Sequence, residues 1–314
     1  MTARHDERND ERSPSNPADR RDITLVVPLY NGRKYLDALL STIRPQQNRF
    51  HSIIFIDDGS IDGSIELVEA FGLENVRFSR NERNMGLYDT LNRALTMVDS
   101  EYVALIFQDD LLETDFAEEM QHLIERWPET SFFTAGSACI DERGAVLRSH
   151  TPDRNDRATP AGKSASQRVL LHGTSWIISG SVSRVSALRR LGFRGDMPQC
   201  GDFELFARAS REEAFVYYDR ILTRIREHEQ QASVQNVAMS ADLKERIKTI
   251  SEHRKLWGNE FSLSFRAELS SLYLYYIVRR AGGQFWRGSI ATGAGTLALV
   301  SRLAGAVWGH TANP

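Results

Sequence analysis

Cysteine is scarce in this 314-residue chain, with Cys139 and Cys200 alone and far apart. Two such thiols have neither zinc-ligand spacing nor the density of a disulfide scaffold, so cross-links and a structural zinc are excluded and both read as packing residues of a reducing compartment. Long apolar runs are missing too. The nearest one, residues 288–301, is closed off by Arg287 and Arg302, well short of the roughly 20 residues of a membrane-spanning helix. Charge of one sign is not in excess, since 39 Lys and Arg face 42 Asp and Glu. A net charge of -3 gives no electrostatic footprint for nucleic acid. Residues 1–22 hold almost nothing apolar, which rules out the core of a signal peptide and predicts a disordered tail. The expected location is therefore cytoplasmic. Three enzyme signatures are also absent. Gly162-Lys163-Ser164 lacks the upstream glycine of a P-loop, no Gly-x-Gly-x-x-Gly follows the first strand, and no Gly-x-Ser-x-Gly elbow occurs.

What is present from residue 23 onward is alternation of short apolar runs with helical periodicity, the pattern of an α/β protein with a mostly parallel, Rossmann-like sheet flanked by helices. Strands are predicted over 23–27, 52–56, 76–79 and 102–107, each rich in β-branched or aromatic residues and bounded by turns. Between them, Leu36, Leu39, Leu40 and Ile43 repeat at helical spacing, as do Leu87, Leu91, Ala94, Leu95 and Val98, then Phe116, Met120, Leu123, Ile124 and Trp127. Past about residue 135 the alternation fades, and 141–168 reads as loop or irregular β structure. A strand near 174–179, a helix near 182–191 and another near 202–211 follow. From 260 the chain is expected to be helical, with Leu263, Phe265, Leu269, Leu272, Leu274 and Ile277 as bulk. The predicted organisation is a tail over 1–22, a catalytic domain over 23–235 with a nucleotide half (23–112) and an acceptor half (113–235), and a helical extension over 236–314.

In the doubly wound order 3-2-1-4, ligands bind beyond the carboxyl ends of the strands at the switch point. Pro28, Tyr30 and Asn31 follow strand one, Asp57 and Asp58 follow strand two, and Gln108, Asp109 and Asp110 follow strand four. Asp109 and Asp110 put two hard oxygen ligands on one turn, suited to Mg²⁺ or Mn²⁺ holding a diphosphate, though the same pair could cap a helix. Residues 57–64 place carboxylates where a nucleobase N–H or ribose hydroxyl could donate, while Asp62 or Ser64 equally suits an N-cap. Asn84 and Gly86 open the third helix, where backbone N–H groups could face phosphate.

The ordered set Val26-Val27-Pro28-Leu29-Tyr30-Asn31, Asp57 to Ser64, Asn84 to Asp89 with Asn92, and Gln108-Asp109-Asp110 resembles the N-terminal half of the family 2 glycosyltransferases of the GT-A fold. Residues 86–92 are most similar to bacterial members that build surface polysaccharides. The resemblance implies a nucleotide-diphosphate sugar donor, with Pro28, Tyr30 and Asp58 around base and ribose and Asp109 on a divalent cation, Mn²⁺ or Mg²⁺. It extends to residues 201–208, where Asp202 carries over as the base that deprotonates the acceptor hydroxyl in an inverting transfer. It extends also to residues 226–233, which implies His228 near metal or diphosphate and Arg226 near diphosphate. Two positions depart from the family pattern. Phe107 stands where the first aspartate of Asp-x-Asp would fall, and Gly201 replaces a glutamate. Glu204 is the alternative base, and an N-cap the alternative role for Asp202. Two rival functions stay open, a non-catalytic nucleotide-binding scaffold and a sugar-phosphate nucleotidyltransferase. The acceptor implied is a saccharide or lipid-linked saccharide, with no nucleic acid. The arginine-flanked C-terminal extension suits peripheral contact with the inner membrane face, packing on the catalytic domain, or a homodimer contact.

Overall fold

Strand β1 (Ile23–Leu29) is buried along its whole length, as a central parallel strand covered on both faces must be. Because side chains alternate across a strand, Ile23, Leu25, Val27 and Leu29 enter one core cluster and Val26 the other. Helix α1 (Arg33–Ile43) closes the first cluster with Leu36, Leu39, Leu40 and Ile43 and runs into a 3-10 turn over Arg44–Arg49. Then come β2 (Ser52–Asp57), α2 (Ser64–Phe71), β3 (Val76–Arg80), α3 (Leu87–Met97), β4 (Tyr102–Leu105), the short β5 (Leu111–Leu112) and α4 (Phe116–Arg126). The chain then adds β6 (Phe132–Ile140), β7 (Val146–His150), β8 (Arg157–Thr159), α5 (Lys163–His172), β9 (Ser181–Arg184), α6 (Val185–Leu191), α7 (Gly201–Glu212) and β10 (Phe215–Arg226). Helices α8 (Ala241–Trp257), α9 (Leu263–Trp286), α10 (Ile290–Leu297) and α11 (Leu299–Trp308) complete the chain. This computed structural model describes residues 23–150, 157–173, 177–228, 240–258, 261–286 and 290–308.

The sheet order is β3-β2-β1-β4-β9-β6-β10-β5, with β7 beside β6 and β8 beside β10. Strands β1 to β4 are parallel in the order 3-2-1-4. Antiparallel β9 then joins β4 to β6, and β6 and β10 pair in parallel, giving a mixed α/β sheet with helices on both faces.

Several predicted elements shift. β4 stops at Leu105 rather than residue 107, because the Phe107 N–H donates to Ser179 Oγ instead of continuing the ladder. The strand expected near 174–179 lies at Ser181–Arg184, residues assigned from sequence to a helix start. Their partners β4 and β6 are remote in sequence, so local pattern could not place them. Residues 174–176 lie outside the described residues. Within the stretch read as irregular, α5 forms and buries Val169, Leu170 and Leu171. Leu87, placed in a core stripe by its spacing, is exposed, as are Leu263 and Leu274 among the apolar bulk expected past residue 260.

The C-terminal helices share a core with the α/β sheet and its helices. Leu243, Ile247, Ile250, Phe265, Leu269, Tyr273 and Ile277 belong to the same cluster as Val26, Leu91 and Phe206. The Tyr273 O–H donates to the Leu170 carbonyl on α5 at 3.0 Å. The boundary expected at residue 235 falls outside the described residues.

His253 on α8 is 1% exposed, stacks on Trp257 with centroids 4.3 Å apart, and neither ring nitrogen has a hydrogen-bond partner. Burial, reinforced by Arg208, Arg194 and Arg211, holds its pKa down at about 3. An unfolded histidine titrates near 6.5, so between about pH 6.5 and 3 the unfolded chain binds a proton that the folded chain refuses. The stability contribution is therefore complete above that window and falls with pH inside it, by about 1 kcal/mol per pH unit. Thermal unfolding scanned by circular dichroism should show Tm dropping through the window. In His253→Phe, which keeps the stack without a titrating group, the drop should be shallower.

Candidate active site

The tips of β1, β2 and β4 are laced together by side chains acting on backbone. Gln108 accepts the Tyr30 N–H at 2.8 Å and returns its amide N–H to the Tyr30 carbonyl at 3.0 Å. A Cβ on Gly32 would lie 2.1 Å from Gln108 Oε1, so a side chain there would displace Gln108 from Tyr30. Asn31, in the left-handed region at φ 49°, gives its N–H to Ser60 Oγ and accepts the Ile61 N–H. Asp62 accepts the first amide of α1, from Arg33, and that of Ser64, while the N-cap of α2 is Gly63 rather than Asp62 or Ser64. Asp57 is buried and receives the Ser60 N–H and the Arg80 guanidinium at 3.2 Å. Tyr30 and Met85 stand half-exposed at the rim.

Asp58 is 4% exposed and faces the start of α3. One oxygen accepts Asn81 Nδ2 at 2.7 Å and the Met85 N–H at 2.8 Å, and the other accepts the Gly86 N–H at 2.9 Å. A carboxylate at a helix N-terminus is stabilised by unpaired amides and the helix dipole. Asn84 accepts the Gly86 N–H as well. The amides expected from sequence to face phosphate are thus already engaged by Asp58 and Asn84.

At the β4 tip the two acidic residues differ. Asp110 is 2% exposed, accepting the Ser179 hydroxyl and the Arg226 N–H. Burial and the neighbouring Asp109 push its carboxyl up to about 8. Asp109 is more open, and one of its oxygens lies 3.1 Å from His228 Nε2. His228 packs on Tyr35 at 5.1 Å, and its Nδ1 is buried without a partner. Arg226 is buried, spending its guanidinium on the carbonyls of Asp109, Asp141 and Glu142 and lying over the Tyr35 ring at 4.8 Å. It braces the Asp109 turn from behind. Among the described residues no group of three or more His, Cys, Asp or Glu could hold a metal. The Asp109 carboxylate with the His228 imidazole is an oxygen and nitrogen pair that fits Mn²⁺ or Mg²⁺, whose remaining positions substrate phosphates and water commonly fill. Residues 229–233 of the same segment lie outside the described residues.

Phe107, standing where an aspartate was expected, packs partly buried against the core. Gly201 is explained by contact as well, since a Cβ there would sit 2.5 Å from the Tyr88 ring. Helix α3 turns out to carry the loop before α7. The Tyr88 hydroxyl accepts the Asp202 N–H at 3.1 Å, and Asn92 exchanges two hydrogen bonds with the Phe193 backbone. The Asp89 carboxylate lies where a Cβ on Gly195 would be, 2.3 Å away. So the Gly-Leu-Tyr-Asp-Thr-Leu-Asn run holds Asp58 at its start and Asp202 two residues further on.

Asp202 is in the first turn of α7, where its Oδ1 accepts the Phe203 N–H at 2.6 Å. Burial raises its pKa, against the pull of that amide and of Arg246. Glu204 is 2% exposed and fully engaged with Arg208 at 2.7 Å, which leaves Asp202 the better placed of the two. Arg246 and Ser179 were missed from sequence. Arg246 lies over Phe203 at 4.3 Å from helix α8, and Ser179 reaches Asp110 from the turn before β9. No local motif marks either, because only the packing of remote segments brings them in.

The glycosyl transferase family 2 profile matches residues 24–190. GlyG, a glycosyltransferase of Streptococcus pneumoniae, is 30% identical over 105 residues, covering 33% of this chain and 35% of its own. The match thus spans about a third of that relative's length. Among solved structures, Staphylococcus aureus TarS residues 1–349 in complex with UDP-GlcNAc superposes with a TM-score of 0.65 at 17% identity, over 91% of this chain and 81% of that one. A Pyrobaculum calidifontis mannosyltransferase in complex with GDP-Man and Mn²⁺ gives 0.54 at 16% identity, over 91% and 76%. At such identities these two establish the GT-A fold.

Proposed function

This chain belongs to glycosyl transferase family 2, and from that premise we propose that it moves a sugar from a nucleotide-diphosphate sugar to an acceptor hydroxyl with inversion at the anomeric carbon. The observation that carries the reading is helix α3, whose first turn binds Asp58 on the nucleotide side and Asp202 on the acceptor side. Tyr30, Asn31 and Asp57 shape the floor for base and ribose, with Pro28 and Gln108 fixing the backbone between them. Asp202 takes the proton of the acceptor hydroxyl as its oxygen bonds to the anomeric carbon and the bond to the diphosphate breaks. Asp109 and His228 would hold the divalent cation, with Asp110 and Arg226 bracing their turn. A bound Mn²⁺ or Mg²⁺ would offset the charge that develops on the leaving diphosphate. The UDP-GlcNAc and GDP-Man complexes of the structural neighbours support a nucleotide-sugar donor. The similarity of residues 86–92 to surface-polysaccharide enzymes supports a saccharide or lipid-linked saccharide acceptor.

Purified chain incubated with UDP- and GDP-sugars and Mn²⁺ or Mg²⁺ should release nucleoside diphosphate, and chelation should stop it. Pyrophosphate released from a nucleoside triphosphate and a sugar 1-phosphate would replace this reading with nucleotidyl transfer. Donor binding without metal-dependent turnover would leave a scaffold.

A further inference from the structure

Between α6 and α7 the chain runs through residues 192–200 before it delivers Asp202, and one face of α8 grips that loop. Asp242, Glu245, Arg246 and Thr249 recur at the i, i+3, i+4 and i+7 spacing that brings residues onto one face of a helix. All four meet residues 197–203. One Glu245 oxygen accepts the Gln199 N–H at 2.9 Å and the Cys200 N–H at 2.7 Å, and the Asp242 carbonyl accepts the Cys200 thiol at 3.5 Å. The Thr249 hydroxyl donates to the Met197 sulfur at 3.6 Å, and Arg246 lies over the Phe203 ring at 4.3 Å. Lys248 adds an ion pair to Asp196 at 2.6 Å, and Glu252 adds one to Arg194. The whole clamp lies beyond residues 24–190, the part that the family profile matches.

Two of these residues bear directly on Asp202. The amides that Glu245 takes are the last two before α7 begins, and hydrogen bonds to a carboxylate are stronger than neutral ones. Arg246 is held in turn by the Tyr273 hydroxyl, whose own proton goes to the Leu170 carbonyl. Among the described residues, the titratable groups that act on the Asp202 carboxyl are Arg246 from α8, Tyr88 from α3 and Cys200 from the loop. Burial pushes the Tyr88 hydroxyl well up and the Cys200 thiol up to about 12, so both stay neutral and Arg246 supplies the charge.

We propose that α8 completes the active site through two positioning residues for Asp202, Glu245 pinning the amides that lead into α7 and Arg246 packing on Phe203 with its cation near the carboxylate. The inference rests on Asp202 as the base. A loop pinned at residues 199–200 fixes the direction in which Asp202 leaves the first turn, and a misplacement of about 1 Å at such a point can cost about 10²-fold in rate. The nearby cation favours the ionised carboxylate, the form that can take the acceptor proton.

The test has one arm without substrate and one with it, both on the full chain. In hydrogen exchange followed by mass spectrometry, Glu245→Ala should speed exchange of the peptide spanning residues 197–203 about ten-fold or more, while β1 exchanges as in wild type. Glu245→Gln keeps an acceptor oxygen and should restore protection. With UDP- or GDP-sugars and Mn²⁺, nucleoside diphosphate release should fall about 10- to 10²-fold in kcat for Glu245→Ala with donor affinity unchanged, and Glu245→Gln should recover it. Arg246→Met keeps the aliphatic stem on Phe203 and removes the charge, so the acid limb of its kcat profile should move about one unit to higher pH. Arg246→Lys should leave that limb in place. Unchanged exchange in Glu245→Ala, or an acid limb that stays put in Arg246→Met, overturns the proposal and leaves the base assignment standing. Wild-type turnover in Asp202→Asn, with exchange still altered by Glu245→Ala, would instead sink the base assignment, and the positioning role with it.

Discussion

Asp202→Asn is expected to lower kcat by about 10²- to 10⁴-fold, the usual contribution of a positioned general base, while the donor dissociation constant stays unchanged. Asparagine preserves shape and can still accept the Phe203 N–H, so the first turn of α7 and the loop held by Tyr88 keep their place. What it removes is the ability to take a proton. Burial favours that task, because a carboxyl desolvated around Asp202 is a stronger base than one in water. Titration calorimetry with a nucleotide sugar, beside single-turnover transfer, separates the two quantities. Wild-type turnover in this variant would move the base elsewhere, and equal loss of donor affinity would make Asp202 a residue that holds the loop rather than the base.

Asp109→Ala is expected to abolish the metal dependence of donor binding, with donor affinity and transfer each falling by about 10²-fold or more. That is the scale found when one preorganised electrostatic contact to a developing anion is lost. The prediction distinguishes two neighbours that look equivalent in sequence. Asp109 keeps an accessible carboxylate beside His228, whereas Asp110 is enclosed by Ser179 and the Arg226 amide. Asp110→Ala should therefore chiefly lower Tm, because removing it strands a buried hydroxyl and a buried amide. Thermal melts with and without Mn²⁺ give the contrast. A metal-induced shift that survives Asp109→Ala and vanishes in Asp110→Ala would reverse the roles.

Much of residues 23–112 was legible because the strands there are short, apolar and bounded by turns, and the helices carry regular stripes. Leu36, Leu39, Leu40 and Ile43 are buried as their spacing predicted. Beyond residue 135 the same reasoning lost its grip. β6, with Ala135, Gly136, Ser137 and Ala138 at its centre, has little strand character of its own, and long-range pairing with β10 and β9 makes it a strand. Leu87 shows the opposite failure, since helical spacing marks an apolar face without saying whether protein covers every residue of it.

Sequence by itself determined the α/β class, the family resemblance and which turns hold the acidic residues, because these follow from local pattern and short-range turn chemistry, whereas the strand order 3-2-1-4 was only assumed from the common arrangement until the pairing showed it. Only the tertiary structure decided that Asp109 is open and Asp110 closed, that Tyr88 and Asn92 serve the Asp202 loop, and that Gly201 is small because a tyrosine ring fills the space beside it. Those outcomes depend on contacts between segments tens of residues apart, where burial and hydrogen-bond partners are set by packing rather than by neighbours in the chain.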